Sequence, residues 1–138
     1  MSEIVYIALG SNMGDRYAFL ARAREAIGAI DGVRLLGQTV VEETTPIGPV
    51  GQDNFLNQMV SVESDLSPRA LLTALQRIEI ESGRVRDVRW GPRTLDLDIV
   101  LIDGVEHSDD TLTVPHPELP NRDFWLRQLN ELRGVSDG

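Results

Sequence analysis

FLNQMVSVES, residues 55–64, is predicted to be a β-strand whose side chains alternate between the two faces of a sheet. One face of this strand carries Leu56, Gln58, Val60 and Val62. The other face carries Phe55, Asn57, Met59 and Ser61. The segment therefore belongs to a sheet, and the segments on either side of it determine the kind of sheet.

Two strands and a helix are predicted before this segment. Ile4–Leu9 is a six-residue apolar strand, and Val33–Thr44 is a second strand in which Gly37 is a candidate bulge. Between them, Asp15 can cap a helix that has one apolar stripe. The stripe consists of Tyr17, Leu20, Ala23, Ile27 and Ile30. The outer face of the helix carries Arg16, Arg22 and Glu25. A Gly- and Pro-rich loop, TTPIGPVGQDN, is too long for a simple hairpin.

A helix and a strand are predicted directly after the segment. Ser67-Pro68 supplies an N-cap and a first-turn proline for a helix that runs to about Ser82. The core stripe of this helix is Leu71, Leu75 and Ile78, and a neighbouring face carries Gln76 and Glu79. Thr94–Ile102 follows as the next strand.

The remaining chain is predicted to form a turn, a short strand and a helix. The turn lies at Asp103-Gly104, and the helix runs from Asn121 to about Leu132. The order β-α-β-β-α-β is that of a ferredoxin-like sandwich. We therefore predict an α/β fold of the α+β type, an antiparallel sheet flanked by helices, in a single domain over residues 1–138.

The composition of the 138-residue chain restricts its possible functions. A net charge of −9 argues against general nucleic-acid binding, which usually needs a basic face. No apolar run reaches the roughly 18 residues of a membrane span. Because cysteine is absent, a bound metal would take oxygen or histidine ligands, and a hard cation such as Mg²⁺ is favoured. We therefore expect a cytoplasmic protein that binds neither nucleic acid nor membrane.

Arginine supplies all 13 cationic residues of the chain. Five of them fall within 17 positions: Arg77, Arg84, Arg86, Arg89 and Arg93. Such a concentration in an acidic protein indicates binding of a discrete polyanion. The absence of lysine excludes a P-loop, which requires a Gly-Lys-Ser/Thr sequence.

Two aspartates share one face of the predicted strand 94–102. Asp96 and Asp98 are two residues apart, so their Cα atoms are separated by roughly 6.6 Å. Leu95, Leu97 and Ile99 would bury the opposite face. Neighbouring carboxylates repel each other unless a cation compensates them, and one or two Mg²⁺ ions would do so. The alternative is the solvated face of an edge strand.

The loop before this strand combines arginine with residues that suit a ligand-covering loop. It contains Arg84, Arg86, Arg89, Arg93, Gly83, Gly91, Pro92 and Trp90. Arginine binds phosphate oxygens bidentately, and Trp90 could stack on a flat heterocycle or cover the site. The alternative is a charged surface loop with Trp90 in the core. Together with the aspartate pair, the loop predicts a metal–polyphosphate site.

Three further residues are candidates for ligand contact. His116, between two prolines, is either structural or a donor to a phosphate oxygen. Phe55 and Asn57 share a strand face and could stack on and hydrogen-bond a flat heterocycle. The alternative for this pair is a phenylalanine at the core edge and an asparagine bonded to its own backbone.

The segment RVRDVRWGPRTLDLDIVL, residues 84–101, closely resembles the signature of 6-hydroxymethyl-7,8-dihydropterin pyrophosphokinases. The segments ALGSNMGD, TTPIGP, NFLNQMV, QRIEIESGR, LTVPHPEL and NRDFWL resemble the same family in order and spacing. The resemblance implies a ferredoxin-like fold and transfer of the β,γ-pyrophosphoryl group of ATP to the pterin hydroxymethyl oxygen, a step of folate biosynthesis. It implies two small-molecule substrates, ATP and the pterin, and we expect a monomer.

The resemblance also implies roles for individual residues. Asp96 and Asp98 would hold two Mg²⁺ ions along the triphosphate. Arg84 and Arg93 would contact phosphates, and Arg86 would lie on a mobile loop that closes over them. The nucleotide site would also include Gln76, Glu79, Ile99, Thr113, His116 and Arg122, with Trp90 sealing it. The pterin pocket would consist of Thr44, Thr45, Ile47, Phe55, Asn57 and Phe124, in which the two Phe rings sandwich the bicycle.

Some positions depart from the family pattern. Thr111 stands where some members carry a nucleotide-contacting arginine, and Glu118 where others have tyrosine or arginine. The family usually has a proline near Gln128.

Two other functions stay open: a non-catalytic paralogue that binds nucleotide or pterin, and a ferredoxin-like RNA-binding module. The acidic balance and the few strand aromatics oppose the RNA-binding function.

Overall fold

An antiparallel sheet organises the chain in the computed structural model, which describes residues 2–11, 15–44, 54–82 and 95–134. Its strands are β1 (Glu3–Ser11), β2 (Val33–Gln38), β3 (Glu42–Thr44), β4 (Phe55–Ser64) and β5 (Asp96–Ile102). The hydrogen-bonded order is β2-β4-β1-β5, and β3 also pairs with β4. A separate hairpin consists of β6 (His107–Ser108) and β7 (Thr113–Val114).

Helices connect and cover these strands. They are α1 (Arg16–Gly28), α2 (Pro68–Glu81) and α3 (Asp123–Leu132), with a short 3₁₀ turn at Leu119–Asn121. α1 carries the chain from β1 to β2 with β4 between them, and α2 carries it from β4 to β5 with β1 between them. The predicted α+β, ferredoxin-like arrangement is therefore confirmed. None of the helices within the described ranges combines the length and the apolar character of a membrane-spanning segment.

The two faces of the sheet have separate cores. On one face, Leu56, Val60 and Val62 of β4 pack with apolar residues of α1 and α2. On the other face, Met59 packs with Trp125 of α3. The alternation predicted for residues 55–64 is thus confirmed, and it assigns each face of β4 to a different helical layer.

The predicted strand 33–44 is divided into β2 and β3. The predicted bulge is present, because the pairing with β4 shifts register between Leu35 and Gly37. The division follows from Thr39, whose hydroxyl accepts the N–H of Met59 at 3.0 Å. The carbonyl of Thr39 instead accepts Nε2 of Gln58 at 2.6 Å. A side-chain oxygen thus replaces a backbone oxygen in the ladder, and the regular strand is interrupted there.

The cap of α1 agrees with the prediction, but its apolar stripe differs at one end. Oδ1 of Asp15 accepts the N–H of Ala18 at 3.1 Å. Leu20, Ala23 and Ile27 are buried as predicted, and Ile30 packs against the same core from beyond the helix end. Tyr17, however, is 64% exposed.

The positions of Tyr17 and Arg16 were predicted wrongly for a geometric reason. At 3.6 residues per turn, Tyr17 lies about a quarter of a turn from the centre of the stripe, whereas Arg16 lies on it. Arg16 is accordingly half-buried rather than outside. Its Nη1 donates to Oε2 of Glu43 at 3.0 Å and to the carbonyl of Asn54 at 2.8 Å.

Candidate active site

Four residues form a row across the sheet on the face that α3 covers. Glu42 lies opposite Asn57, and Asn57 lies opposite Gly10. Gly10 in turn lies opposite Asp96. Directly opposite residues project from the same face, and neighbouring strands lie about 4.8 Å apart. Asn57 and Asp96 are therefore roughly 10 Å apart on one surface, with Gly10 between them.

The aspartate pair has the arrangement that the sequence predicts. Leu95, Leu97 and Ile99 are buried, with 0%, 5% and 2% of their surfaces exposed. Asp96 and Asp98 are half-buried on the opposite face. Among the residues that the structure describes, no group of three or more His, Cys, Asp or Glu side chains is placed to hold a metal ion. Two carboxylates supplemented by ligand oxygens remain a fitting donor set for Mg²⁺.

A carboxylate from α2 binds the backbone between the two aspartates. Glu79 is only 4% exposed, and its Oε2 accepts the N–H of Leu97 at 2.7 Å. This N–H lies on the outer edge of β5, beside which the described part of the chain places no further strand of the five-stranded sheet. Glu79 thus fixes the strand that carries Asp96 and Asp98, a role that the sequence did not predict for it.

His116 lies beside Asp98, held by backbone contacts. Its N–H donates to the carbonyl of Val100 at 2.8 Å. Its ring Nδ1 accepts the N–H of Glu118 at 3.0 Å, and this places a proton on Nε2. Nε2 lies 3.8 Å from Oδ1 of Asp98. The donor nitrogen of His116 therefore faces Asp98 of the carboxylate pair.

Trp125 of α3 contacts two of the predicted nucleotide-site residues. The ring centroids of His116 and Trp125 are 4.9 Å apart with an interplanar angle of 84°, an edge-to-face contact. The guanidinium carbon of Arg122 lies 4.3 Å from the indole centroid. The indole is 2% exposed, so it is a rigid support for both groups. The sequence analysis assigned no role to Trp125.

Arg122 has a donor that the described residues leave unused. Its Nε is buried and has no hydrogen-bond partner within the described part of the chain. A buried, unpaired donor on a cation costs free energy unless another group binds it. The contact with Trp125 thus holds the guanidinium of Arg122 in place, where it can bind an anionic ligand.

Three residues of the predicted pterin pocket lie together. Nδ2 of Asn57 donates to Oγ1 of Thr44 and, at 3.5 Å, to the carbonyl of Phe55. Thr44 and Phe55 are opposite each other in the β3–β4 pairing. Phe124, the fourth described residue of this set, packs on the α3 face of the sheet. The amide of Asn57 is therefore held by the side chain of Thr44 as well as by the backbone of Phe55.

The other predicted nucleotide-site residues surround β5. Gln76 is half-buried on α2, and Thr113 is half-buried on β7. The side chain of Ile99 packs in the core between the sheet and helices α1 and α2, away from the aspartates. Only the backbone of Ile99 can then contact a ligand on the aspartate face. Arg84, Arg86, Trp90, Arg93, Thr45 and Ile47 lie outside the described residues.

In the hairpin of β6 and β7, the carboxylate of Asp109 binds Thr111 and gives this residue a structural role. The N–H and Oγ1 of Thr111 both donate to Oδ1 of Asp109, at 2.8 and 2.9 Å. Asp109 also contacts His107 at 2.7 Å and Arg69 at 3.0 Å. The Thr111 amide, His107 and the Thr111 hydroxyl hold the pKa of Asp109 well below its usual range. Thr111 therefore stabilises the hairpin turn.

An ion pair that the sequence analysis missed connects α3 to β3. Nη2 and Nη1 of Arg127 donate to the two carboxylate oxygens of Glu42 at 2.9 and 3.2 Å. This bidentate bond and the charge of Glu42 raise the pKa of Arg127. Because Glu42 lies opposite Asn57, the pair closes the β3 side of the candidate site. No local sequence pattern links residues so far apart.

Comparisons with known proteins identify a family over most of the chain. The model of the family described as 7,8-dihydro-6-hydroxymethylpterin-pyrophosphokinase (HPPK) matches residues 6–134. This range includes every described residue of the candidate site. The match agrees with the resemblance seen in residues 84–101.

Curated relatives carry a corresponding name, 2-amino-4-hydroxy-6-hydroxymethyldihydropteridine pyrophosphokinase. The Bacillus subtilis protein is 43% identical over 132 residues, which are 96% of this chain and 79% of that protein. The Methylorubrum extorquens protein is 41% identical over 127 residues, 92% of this chain and 80% of that protein. The Haemophilus influenzae protein is 42% identical over 127 residues, 92% of this chain and 79% of that protein.

Proposed function

Because this chain belongs to the 7,8-dihydro-6-hydroxymethylpterin-pyrophosphokinase family, we propose that it transfers the β,γ-pyrophosphoryl group of ATP to 6-hydroxymethyl-7,8-dihydropterin. The acceptor is the hydroxymethyl oxygen of the pterin, and AMP is the second product. The reaction is a step of folate biosynthesis. The whole matched range, residues 6–134, acts as one pyrophosphokinase domain in this proposal.

The row of Asn57, Gly10 and Asp96 is the observation that supports this proposal most directly. An amide suited to the edge of a heterocycle and a carboxylate suited to a metal project from the same face. A pterin bound along this row by Asn57 would direct its hydroxymethyl group toward Asp96. The substrate would then carry its own nucleophile to the phosphate site, and no nucleophilic side chain is needed.

The aspartate pair supports the metal part of the proposal. Asp96 and Asp98 would hold two Mg²⁺ ions, because a few carboxylates completed by phosphate and water oxygens suit this ion. Bound Mg²⁺ would neutralise charge on the phosphates and polarise the phosphoryl oxygens. Glu79, through its bond to the N–H of Leu97, keeps the strand between the two carboxylates in place.

Cationic and donor groups would complete the nucleotide site. Nε2–H of His116 is directed to the side of Asp98 and would donate to a phosphate oxygen. The guanidinium of Arg122, stacked on Trp125, would bind the nucleotide. Gln76 and Thr113 would form further contacts from the two elements on either side of β5.

The loop before β5 would supply the remaining positive charge. Arg84 and Arg93 would contact the phosphates, and Arg86 would approach them when the loop closes. Trp90 would cover the site and exclude water, so that ATP is not hydrolysed instead. These arginines would stabilise the charge that develops on the transferred group.

The pterin pocket would lie between β3, β4 and α3. Phe55 and Phe124 would sandwich the bicycle, and Asn57, oriented by Thr44, would hydrogen-bond its edge. Thr45 and Ile47 would complete the pocket. The ion pair of Glu42 and Arg127 would hold α3 against the β3 side.

Product analysis tests the proposal. The purified protein is incubated with MgATP and 6-hydroxymethyl-7,8-dihydropterin, and nucleotide products are separated by chromatography. We expect AMP to form in amounts equal to the pyrophosphorylated pterin and only when the pterin is present. Formation of ADP, or binding of both ligands without AMP, would contradict the proposal, and the second result would identify a non-catalytic paralogue.

A further inference from the structure

The hairpin of β6 and β7 is tied to helix α2 by an ion pair. Nη2 of Arg69, in the first turn of α2, donates to Oδ2 of Asp109, in the turn of the hairpin, at 3.0 Å. The side chain of Arg69 is 62% exposed and that of Asp109 is 24% exposed. An ion pair this exposed adds little to stability, so its contribution lies in the relative position of the two elements that it joins.

The carboxylate of Asp109 is held rigidly within the hairpin. Its Oδ1 accepts the N–H and the hydroxyl of Thr111 at 2.8 and 2.9 Å and the N–H of Leu112 at 2.9 Å. Its Oδ2 contacts Nε2 of His107 at 2.7 Å. Within the described residues, Arg69 is the one partner of this carboxylate that lies outside the hairpin. Because the carboxylate cannot turn without breaking its other bonds, a guanidinium bound to it fixes the hairpin as well.

Asp109 also lies next to a residue of the proposed nucleotide site. Asp109 directly follows Ser108, which is opposite Thr113 in the pairing of β6 with β7. The N–H of Asp109 donates to the carbonyl of Leu112 at 2.9 Å and closes the turn between the two strands. A displacement of Asp109 therefore moves Thr113, which is one ladder position away.

Arg69 shares a helix face with a second residue of that site. Gln76 follows Arg69 by nearly two turns of α2, so both side chains project from one face, with a rise of about 10 Å between them. Thr73 lies between them on this face and is exposed, so the hairpin does not cover this stretch of the helix. α2 and β7 both contact β5. They thus form two walls above β5, with Gln76 on one wall, Thr113 on the other and the ion pair at one end.

We propose that Arg69 and Asp109 are positioning residues whose ion pair, the Arg69–Asp109 clasp, sets the distance between Gln76 and Thr113 and so orders the nucleotide site. This inference rests on the proposed function, because it assigns the space between the two walls to the nucleotide of that reaction. The clasp acts through the walls, and neither of its residues touches the nucleotide. The pterin pocket lies between β3, β4 and α3, so the clasp affects ATP binding and leaves pterin binding unchanged.

The test compares Arg69→Ala with wild type. The dissociation constant of a non-hydrolysable ATP analogue with Mg²⁺ is measured by calorimetry, and the KM for the pterin is measured at saturating MgATP. We expect affinity for the analogue to fall about two- to fivefold, the range for loss of an exposed ion pair, and the KM for the pterin to stay the same. Arg69→Lys, which keeps the charge, should recover part of the loss. The difference between wild type and Arg69→Ala should shrink at about 1 M salt, where the Debye length is only about 3 Å.

A double-mutant cycle with Asp109→Asn distinguishes the clasp from a direct contact between Arg69 and the nucleotide. Asparagine keeps an oxygen for the bonds from Thr111 and Leu112 but removes the charge that binds Arg69. In this background, Arg69→Ala should cause little further loss of affinity for the ATP analogue. A loss as large as in the wild-type background would show that Arg69 binds the nucleotide itself, and it would overturn the inference.

Arg34→Ala is the matched control, because Arg34 forms a similar exposed ion pair far from the site. Arg34 pairs with Glu63 across β2 and β4, at the opposite end of β4 from Asn57, and the two side chains are 70% and 33% exposed. This variant loses the same charge and should bind the ATP analogue as wild type does. An equal loss in Arg34→Ala would assign the effect to the net charge of the protein and not to the clasp.

Each further contrary result also overturns the inference. Wild-type affinity for the ATP analogue in Arg69→Ala would show that the clasp does not order the site. Equal losses for nucleotide and pterin, or failure of Arg69→Ala to unfold cooperatively, would show a general effect on the fold. If wild type itself binds no ATP analogue or forms no AMP, the proposed function fails first, so the two failures are distinguishable.

Discussion

Oε2 of Glu79 accepts a hydrogen bond of 2.7 Å from the backbone N–H of Leu97, the residue between Asp96 and Asp98. Helix α2 thus holds the edge strand β5 at the point where β5 carries its two carboxylates. The bond replaces the sheet neighbour that β5 lacks on this side within the described residues. The positions of the two carboxylates at the site therefore depend on Glu79, which is buried behind them.

Glu79→Ala should lower the free energy of unfolding by about 1–3 kcal/mol, because the N–H of Leu97 would be buried without an acceptor. Glu79→Gln should retain most of the stability, since its amide oxygen can accept the same bond. Urea denaturation of the three proteins checks this. An alanine variant as stable as wild type would contradict the positioning role of Glu79.

Trp125→Leu should impair nucleotide binding more than its loss of stability explains. The change removes the surface that contacts His116 and Arg122, and the KM for ATP should rise by roughly tenfold. Leu129→Ala is the control, because Leu129 is buried on the same helix and is not a member of the stack of His116, Trp125 and Arg122.

A double-mutant cycle with His116→Ala separates positioning from general destabilisation by Trp125→Leu. If Trp125 acts through His116, its replacement should have less effect on the KM for ATP when the imidazole is already absent. Fully additive effects would contradict the proposed support. Trp125→Phe, which keeps an aromatic face, should restore part of the affinity.

Asp109→Asn should destabilise the hairpin of β6 and β7 in a pH-dependent way. Folding lowers the pKa of Asp109 from its usual 3.8, so its carboxylate stabilises the folded state at pH values above 3.8. This stabilisation is lost as the pH falls below 3.8 toward the lower pKa of the folded state. The stability difference between wild type and variant should therefore be constant near neutral pH and shrink in acid.

Urea denaturation at several pH values in a His107→Gln background checks this prediction. The background replaces the imidazole of His107, which contacts Asp109 directly, with an uncharged amide. A difference that persists unchanged at the most acidic pH would contradict the assignment. So would a difference that grows as the pH falls.

The sequence predicted those features of the fold and site that depend on residues close together in the chain. The alternation in 55–64 and 95–99 fixed which side chains share a face, because strand geometry leaves two choices only. The caps at Asp15 and Ser67 were predictable since a cap bonds an N–H three residues ahead. These local rules also placed Asp96 and Asp98 together.

Features that depend on distant contacts were not predictable from the sequence. The division of strand 33–44 follows from the hydroxyl of Thr39 bonding to Met59, twenty residues later. The burial of Glu79 requires an N–H of β5, and the place of Trp125 requires His116 and Arg122 in one stack. Helix periodicity places Glu79 beside the core stripe but does not show what it bonds to.

The measurement that tests the central claim most directly is AMP formation by Asp98→Ala. Asp98 is 42% exposed and projects away from the core of the opposite face, so the variant should fold and unfold as wild type does. Its rate of pterin-dependent AMP formation should fall at least about a hundredfold, because half of the carboxylate pair is lost. The matched variant Asp31→Ala, changed at an exposed position after α1, should retain full activity. A folded Asp98→Ala protein with near wild-type AMP formation would contradict the account.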